Sequence, residues 1–270
     1  MVKLRDKLWI WGQDPGSHHG KTNQWHLPGQ NIMTPLEGAC YLGVKNCCRV
    51  VMGGYPKPPF DQHSMALVSM NEVVWSAVGD SASTRNDENQ TDIDEVIRQA
   101  EKFPNITGAV LDDFFVTSAQ NKKARHSVES IRNLRDKLHG FSQRKLDLWL
   151  VWYEHQIDFD VQDYLDLSDV ITFWTWNGSD LAMLDKNIKK VLDRTPGKRR
   201  LAGCYMWDYG ACKPLTVDDM KFQCEKYYDW IKKGWIEGVV FCSNCICDIG
   251  LDTVEWTRNW IAKIGDEEIG

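Results

Sequence analysis

Eight short apolar runs, each followed by a stretch with helical spacing, organise the 270-residue chain. The runs fall at residues 7–12, 49–55, 72–80, 106–115, 146–154, 169–176, 200–208 and 238–243. They are rich in β-branched and aromatic residues, which suits strands covered on both faces. Strands alternating with helices imply a parallel sheet with right-handed crossovers, either open and doubly wound or closed. The count of eight favours closure, and so does the length, since such barrels take about 250 residues. No glycine fingerprint of a dinucleotide-binding sheet follows the first run. No Pro-, Gly- or Ser-rich linker marks a second domain. The sequence therefore reads as one α/β domain, a single (β/α)8 barrel over residues 1–270.

Local signals agree with that frame. Thr34-Pro35-Leu36-Glu37 has the order of a capped helix start, with Thr at the cap, Pro first in the helix and Glu three residues on. Thr91 and Thr216 are expected to cap two further helices. Gly140 should stop the helix over residues 127–138.

The formal net charge is −6, which argues against a nucleic-acid partner, because that needs a clustered basic face. Lys198-Arg199-Arg200 is the one dense basic cluster, and it leads straight into an apolar run. The N-terminus is charged and its first apolar run is short, so neither a signal peptide nor a membrane span is expected. Nine cysteines is an odd number in a chain long enough to build its core without disulfides. A cytoplasmic location is the corresponding expectation. Cys242-Ser243-Asn244-Cys245 is half of a zinc site without the other half, so no metal and no cofactor are expected.

Active sites of these barrels lie at the C-terminal ends of the strands. The run 106–115 ends there in Asp112-Asp113-Phe114-Phe115. Burying an unpaired carboxylate is costly, so acids closing a core strand point to an opening. Other runs end alike, in Asp80, Glu154 and Asp208. Aromatic and polar residues join them: His18, His19 and Trp25 in the first loop, Tyr55, Trp152, Trp174, Trp176, Asn177, Trp207, Tyr209 and Asn244. Indole and phenol faces stack on sugar C–H faces, while acids and amides bond hydroxyls. Glycoside cleavage needs two carboxyl groups flanking the bond, and adjacent Asp residues push each other's pKa apart.

Leu111-Asp112-Asp113-Phe114 and Trp207-Asp208-Tyr209, set in eight strand-helix units, resemble the (β/α)8 glycoside hydrolases. The resemblance implies an acid on strand four and a second carboxylate on another strand. The Asn-Glu pair of many retaining barrels is replaced on strand four by Asp-Asp. Asp113, later in the pair and nearer the mouth, is the first candidate for general acid. Glu154 on the neighbouring strand is its expected partner, Asp208 the rival, and Asp112 the group that tunes Asp113 or bonds a hydroxyl. The expected substrate is a carbohydrate. The alternatives are a metal-dependent sugar isomerase or epimerase and a barrel that binds carbohydrate without catalysis. The sequence leaves the sugar, the linkage and the oligomeric state open.

Overall fold

The computed structural model describes residues 1–87, 90–116 and 123–269. Eight parallel strands close into a barrel: β1 (Leu8–Gly12), β2 (Asn46–Arg49), β3 (Glu72–Val78), β4 (Ile106–Leu111), β5 (Asp147–Tyr153), β6 (Val170–Trp174), β7 (Arg199–Tyr205) and β8 (Gly238–Cys242). Each pairs with the next in sequence, and β8 closes on β1 with Val239 opposite Leu8. The helices are α1 (Pro35–Leu42), α2 (Asp61–Ala66), α3 (Ile93–Lys102), α4 (Val128–His139), α5 (Gln162–Leu167), α6 (Leu184–Arg194), α7 (Val217–Lys232) and α8 (Asp252–Ile264). A two-residue ribbon, Val2–Lys3 against Glu268–Ile269, joins the two chain ends. None of the described helices is long and apolar enough to cross a membrane.

The expected caps at Thr34 and Thr216 form, each reciprocated by the acid three residues on. Gly140 follows the last residue of α4. At α3 the cap is Asp92 rather than Thr91, whose hydroxyl instead accepts from the Ile93 amide.

Strand two departs furthest from expectation. It runs over Asn46–Arg49, not residues 49–55. Asn46-Cys47-Cys48 does not look like a core strand, but the Asn46 amide is satisfied by the carbonyls of Asp6 and Leu8. The Val50-Val51-Met52 run lies beyond the strand. There Gly53 and Gly54, both at positive φ, turn the chain so that Met52 and Tyr55 pair. On β7 the regular strand likewise stops at Tyr205, short of Asp208.

Side chains of a strand alternate between the barrel interior and the helices outside. Four tryptophans fill the interior: Trp9 meets Trp149 at 4.9 Å between ring centroids, and Trp11 meets Trp174 at 5.2 Å. A Cβ at Gly203 would stand 1.9 Å from the Trp174 indole, so glycine on β7 is what lets this ring lie across the axis. Each indole removes roughly 200 Å² from water, worth up to about 5 kcal/mol at about 25 cal/mol per Å². Trp11 and Trp174 form a rigid aromatic floor, and the candidate site sits on it.

Candidate active site

Above that floor lies a narrow axial pocket, which leads into a wider groove. Trp25, Asp113, Tyr153 and Trp176 line both, so they form the neck between them. One wall is the first loop. There His18 Nδ1 bonds the Tyr209 hydroxyl at 2.6 Å, His18 Nε2 bonds Gln13 Oε1, and Trp25 packs edge-on against both His18 and Tyr209.

Strand parity determines which strand-end residues face the pocket. Gln13, Met52, Asp80, Asp112, Tyr153 and Tyr205 all line it. Each lies an even number of residues beyond an inward-facing strand position. Asp113 is the exception, since on a regular strand it would face away from Asp112. Its φ of 42° lies in the left-handed region, which Asp tolerates better than most residues. The turn it makes brings both carboxylates onto the pocket. Such strained backbone is concentrated at functional sites.

The acids are three, and each is held differently. Asp80 is locked: Oδ2 accepts from the Gly53 amide at 2.9 Å, and Oδ1 accepts from the Ala82 amide at 2.7 Å and the Ser83 hydroxyl at 3.1 Å. Asp112 Oδ1 accepts from the Asp113 amide at 2.9 Å. Asp113 Oδ1 accepts from the Tyr153 hydroxyl at 2.8 Å, and its Oδ2 from the Ser81 amide at 3.1 Å. Burial, followed by the charges of Asp113 and Asp80, drives the Asp112 carboxyl well above the ordinary carboxylate range. Burial and, more weakly, Asp113 also raise Asp80. Burial raises Tyr153 and Tyr205 as well, so both phenols remain donors at neutral pH. It holds His18 down to about 3, so the ring is neutral. With Gln13 Oε1 accepting, His18 Nε2 carries the proton and Nδ1 accepts from Tyr209.

Seven of the residues expected from sequence meet at this pocket: Asp112, Asp113, His18, Trp25, Trp174, Trp176 and Tyr209. The others do not line it, Glu154 and Asp208 among them. Glu154 has the outward parity of β5, and its Oε2 accepts from the Trp176 amide at 2.9 Å, tying the ends of β5 and β6 together. Asp208 closes a turn beyond β7, accepting from the Ala211 amide at 2.9 Å. Trp152 is wholly buried on the outer face of β5 beneath the Arg194 guanidinium, so it has no face to offer a sugar. Trp207, 2% exposed, donates to the Trp25 carbonyl and pins the first loop. Asn244 clamps the backbone of Gln13 with both ends of its amide. Asn177 bonds Asp180, His19 bonds the Pro28 carbonyl, and Tyr55 stands in solvent beneath Lys57.

No protein-family model matches the sequence, and no curated protein does. Solved structures share its architecture. A provisionally named α-L-fucosidase from Bacteroides thetaiotaomicron aligns over 99% of this chain and 98% of its own, with a TM-score of 0.62 and 12% identity. The catalytic domain of a chitinase from Pyrococcus furiosus aligns over 97% of each chain, with a TM-score of 0.57 and 12% identity. The β-glucuronidase of Bifidobacterium dentium aligns over 97% of this chain but 47% of its own, with a TM-score of 0.58 and 13% identity. The chain is a (β/α)8 barrel, the fold it shares with these structures. At such identities the likeness carries the fold alone.

The barrel's chemistry must therefore come from its own residues. Two adjacent carboxyls, of which burial shifts Asp112 toward its neutral form, lie under a ring of indoles and phenols where a polar group seated at the neck could exchange a proton with them. Among the described residues no group of three or more His, Cys, Asp and Glu is arranged to hold a metal ion. Sequence reasoning left Gln13, Tyr153 and Tyr205 unassigned, and noted Asp80 only as a strand end. Counting parity from the strand centres would have selected all four.

Proposed function

We propose that this barrel is a glycoside hydrolase whose reaction centre is the Asp112–Asp113 pair. The observation that carries the reading is the position of Asp113. It stands at the neck between the aromatic pocket and the groove, oriented by Tyr153 and Ser81. A sugar ring reaching into the pocket over Trp174 and Trp176 would bring its glycosidic oxygen to the neck, with the leaving group in the groove. In its acid form, Asp113 gives its proton to that oxygen as the bond to the anomeric carbon breaks, and the water that then bonds that carbon returns a proton to Asp113, which restores the acid. Asp112, whose carboxyl is pushed well above the ordinary carboxylate range by burial and by the charges of Asp113 and Asp80, resists ionising, so the pair carries a single negative charge once the Asp113 proton has left. That charge lies under the carbon that becomes cationic in the transition state. Asp80 has Oδ1 committed to the turn over residues 80–83 and Oδ2 to the Gly53 amide, which makes it a support and not a reactant.

A panel of aryl glycosides and natural oligosaccharides tests the reading. The wild-type protein should release sugar from at least one of them. Asp113→Asn should lower that turnover by about a hundredfold or more while leaving the circular dichroism spectrum and melting profile close to native. Undiminished turnover in a folded Asp113→Asn variant would overturn the assignment, and so would inertness of the wild type across a broad panel.

A further inference from the structure

Beyond β4, residues 114–116 pair antiparallel with residues 123–125. Phe115 pairs with Ala124, and the Arg125 amide donates to the Phe114 carbonyl at 3.0 Å. This pairing delivers the Arg125 side chain, only 6% exposed, beneath the acid cluster. Its guanidinium faces four main-chain carbonyls: Gly79, Asp80 at 3.1 Å and Asp112 at 3.3 Å from Nη1, and Ser83 at 3.2 Å from Nη2. Nε donates to Asp87 at 2.8 Å. Carbonyls from two strand ends thus converge on one planar cation, a geometry a lysine ammonium cannot reproduce.

The carbonyls concerned belong to the segments that carry the acids. Asp80 and Ser83 bound the turn whose Ser81 amide orients Asp113, and the Asp112 carbonyl directly precedes Asp113 in the chain. We infer that Arg125 is a positioning residue, clamping the ends of β3 and β4 so that Ser81 and Tyr153 hold Asp113 at the neck. It bonds none of the carboxylate oxygens of Asp80, Asp112 or Asp113, and although it borders the groove, its donors are taken by main-chain carbonyls and Asp87. Its positive charge also opposes, weakly, the effect of burial on Asp112. The chain beside Arg125 has other anchors: His126 Nε2 bonds the Asn86 carbonyl at 2.7 Å, and the Tyr164 hydroxyl donates to the His126 carbonyl at 2.8 Å. Loss of the guanidinium should therefore loosen the clamp without unfolding the barrel.

The kinetic part of this inference rests on the glycosidase reading, while its structural part does not. In Arg125→Ala, amide hydrogen exchange at residues 80–83 and 112–114 should accelerate at least tenfold, with the strand interiors unchanged. On a glycoside that the wild type cleaves, kcat should fall by about a hundredfold, the scale of a small misplacement of a reacting group, with KM within threefold. Added guanidinium ion should restore part of kcat in Arg125→Ala, whereas Arg125→Lys should stay impaired. Wild-type inertness on every glycoside would count against the proposed function, and the exchange measurement would still decide the clamp. Unchanged exchange in a folded Arg125→Ala variant, or wild-type kcat in that variant, would overturn the inference.

Discussion

The Tyr153 hydroxyl donates to Asp113 Oδ1 across 2.8 Å, joining the end of β5 to the acid pair beyond β4. Tyr153 also stacks on His155, with ring planes 12° apart. The ring is therefore held in place independently of its hydroxyl. Tyr153→Phe should leave the fold intact and remove only the bond to the carboxylate. A hydrogen bond to a charged group contributes about 1.5–3 kcal/mol, so kcat/KM on a cleaved glycoside should fall by about ten- to a hundredfold. An unaltered kcat/KM would show that Tyr153 does not orient the reacting acid.

Gly203 supports the site from below. Because an added Cβ would overlap the Trp174 indole, Gly203→Ala must tilt that ring or shift β7. Overpacking of this sort costs about 1–3 kcal/mol. Chemical denaturation should show a loss in that range, and ligand binding at the pocket should weaken with it because Trp174 is part of the floor. An alanine variant as stable as the parent would mean that the barrel interior has slack the close contacts do not suggest.

The closed barrel was legible in the sequence because eight apolar runs and their helical partners repeat without interruption, and because the caps at Thr34 and Thr216 are local chemistry. Individual strand ends were less legible. Asn46-Cys47-Cys48 hides a strand, since its polar side chain is satisfied by carbonyls far away in the chain. Tyr153 and Glu154 are neighbours in sequence, yet the period of two sends one to the pocket and the other to the β6 backbone. Aromatic identity was equally ambiguous: Trp152 and Trp174 look alike as strand tryptophans, and only their parity separates an outer-layer residue from the pocket floor. Arg125 carried no sequence signal, because its role depends on carbonyls brought together by the barrel.

The burial of Asp112 implies a stability cost that depends on pH. Its folded pKa is raised well above the ordinary 3.8, so between those values the folded chain holds a proton that the unfolded chain has released. Its contribution is fully favourable below about 3.8 and is lost as pH rises toward the folded value. Asp112→Asn keeps an oxygen to accept from the Asp113 amide but has no proton to lose. It should therefore be more stable than the wild type at pH 7, with the advantage shrinking toward pH 4. Parallel urea titrations at the two pH values check this. An advantage independent of pH, or a loss at pH 7, would mean that Asp112 is not held protonated by its surroundings.

His18 should act in the opposite direction. Burial holds its folded pKa at about 3, against an ordinary value of 6.5, so the unfolded chain takes up a proton first as the solution is acidified. The stability tied to the neutral ring is complete above 6.5 and is lost as pH falls toward 3. A neutral ring is also what the local bonds require, because a doubly protonated imidazole could no longer accept from Tyr209. His18→Gln removes the titration while leaving the acids in place. Its absolute stability will reflect altered packing against Trp25 and Tyr209, so the slope with pH is the quantity to compare. Between pH 7 and pH 5 the wild type should lose more stability than His18→Gln in matched urea titrations. Equal slopes would show that the ring gains a proton in the folded state, and the bond pattern around Tyr209 would then have to reverse.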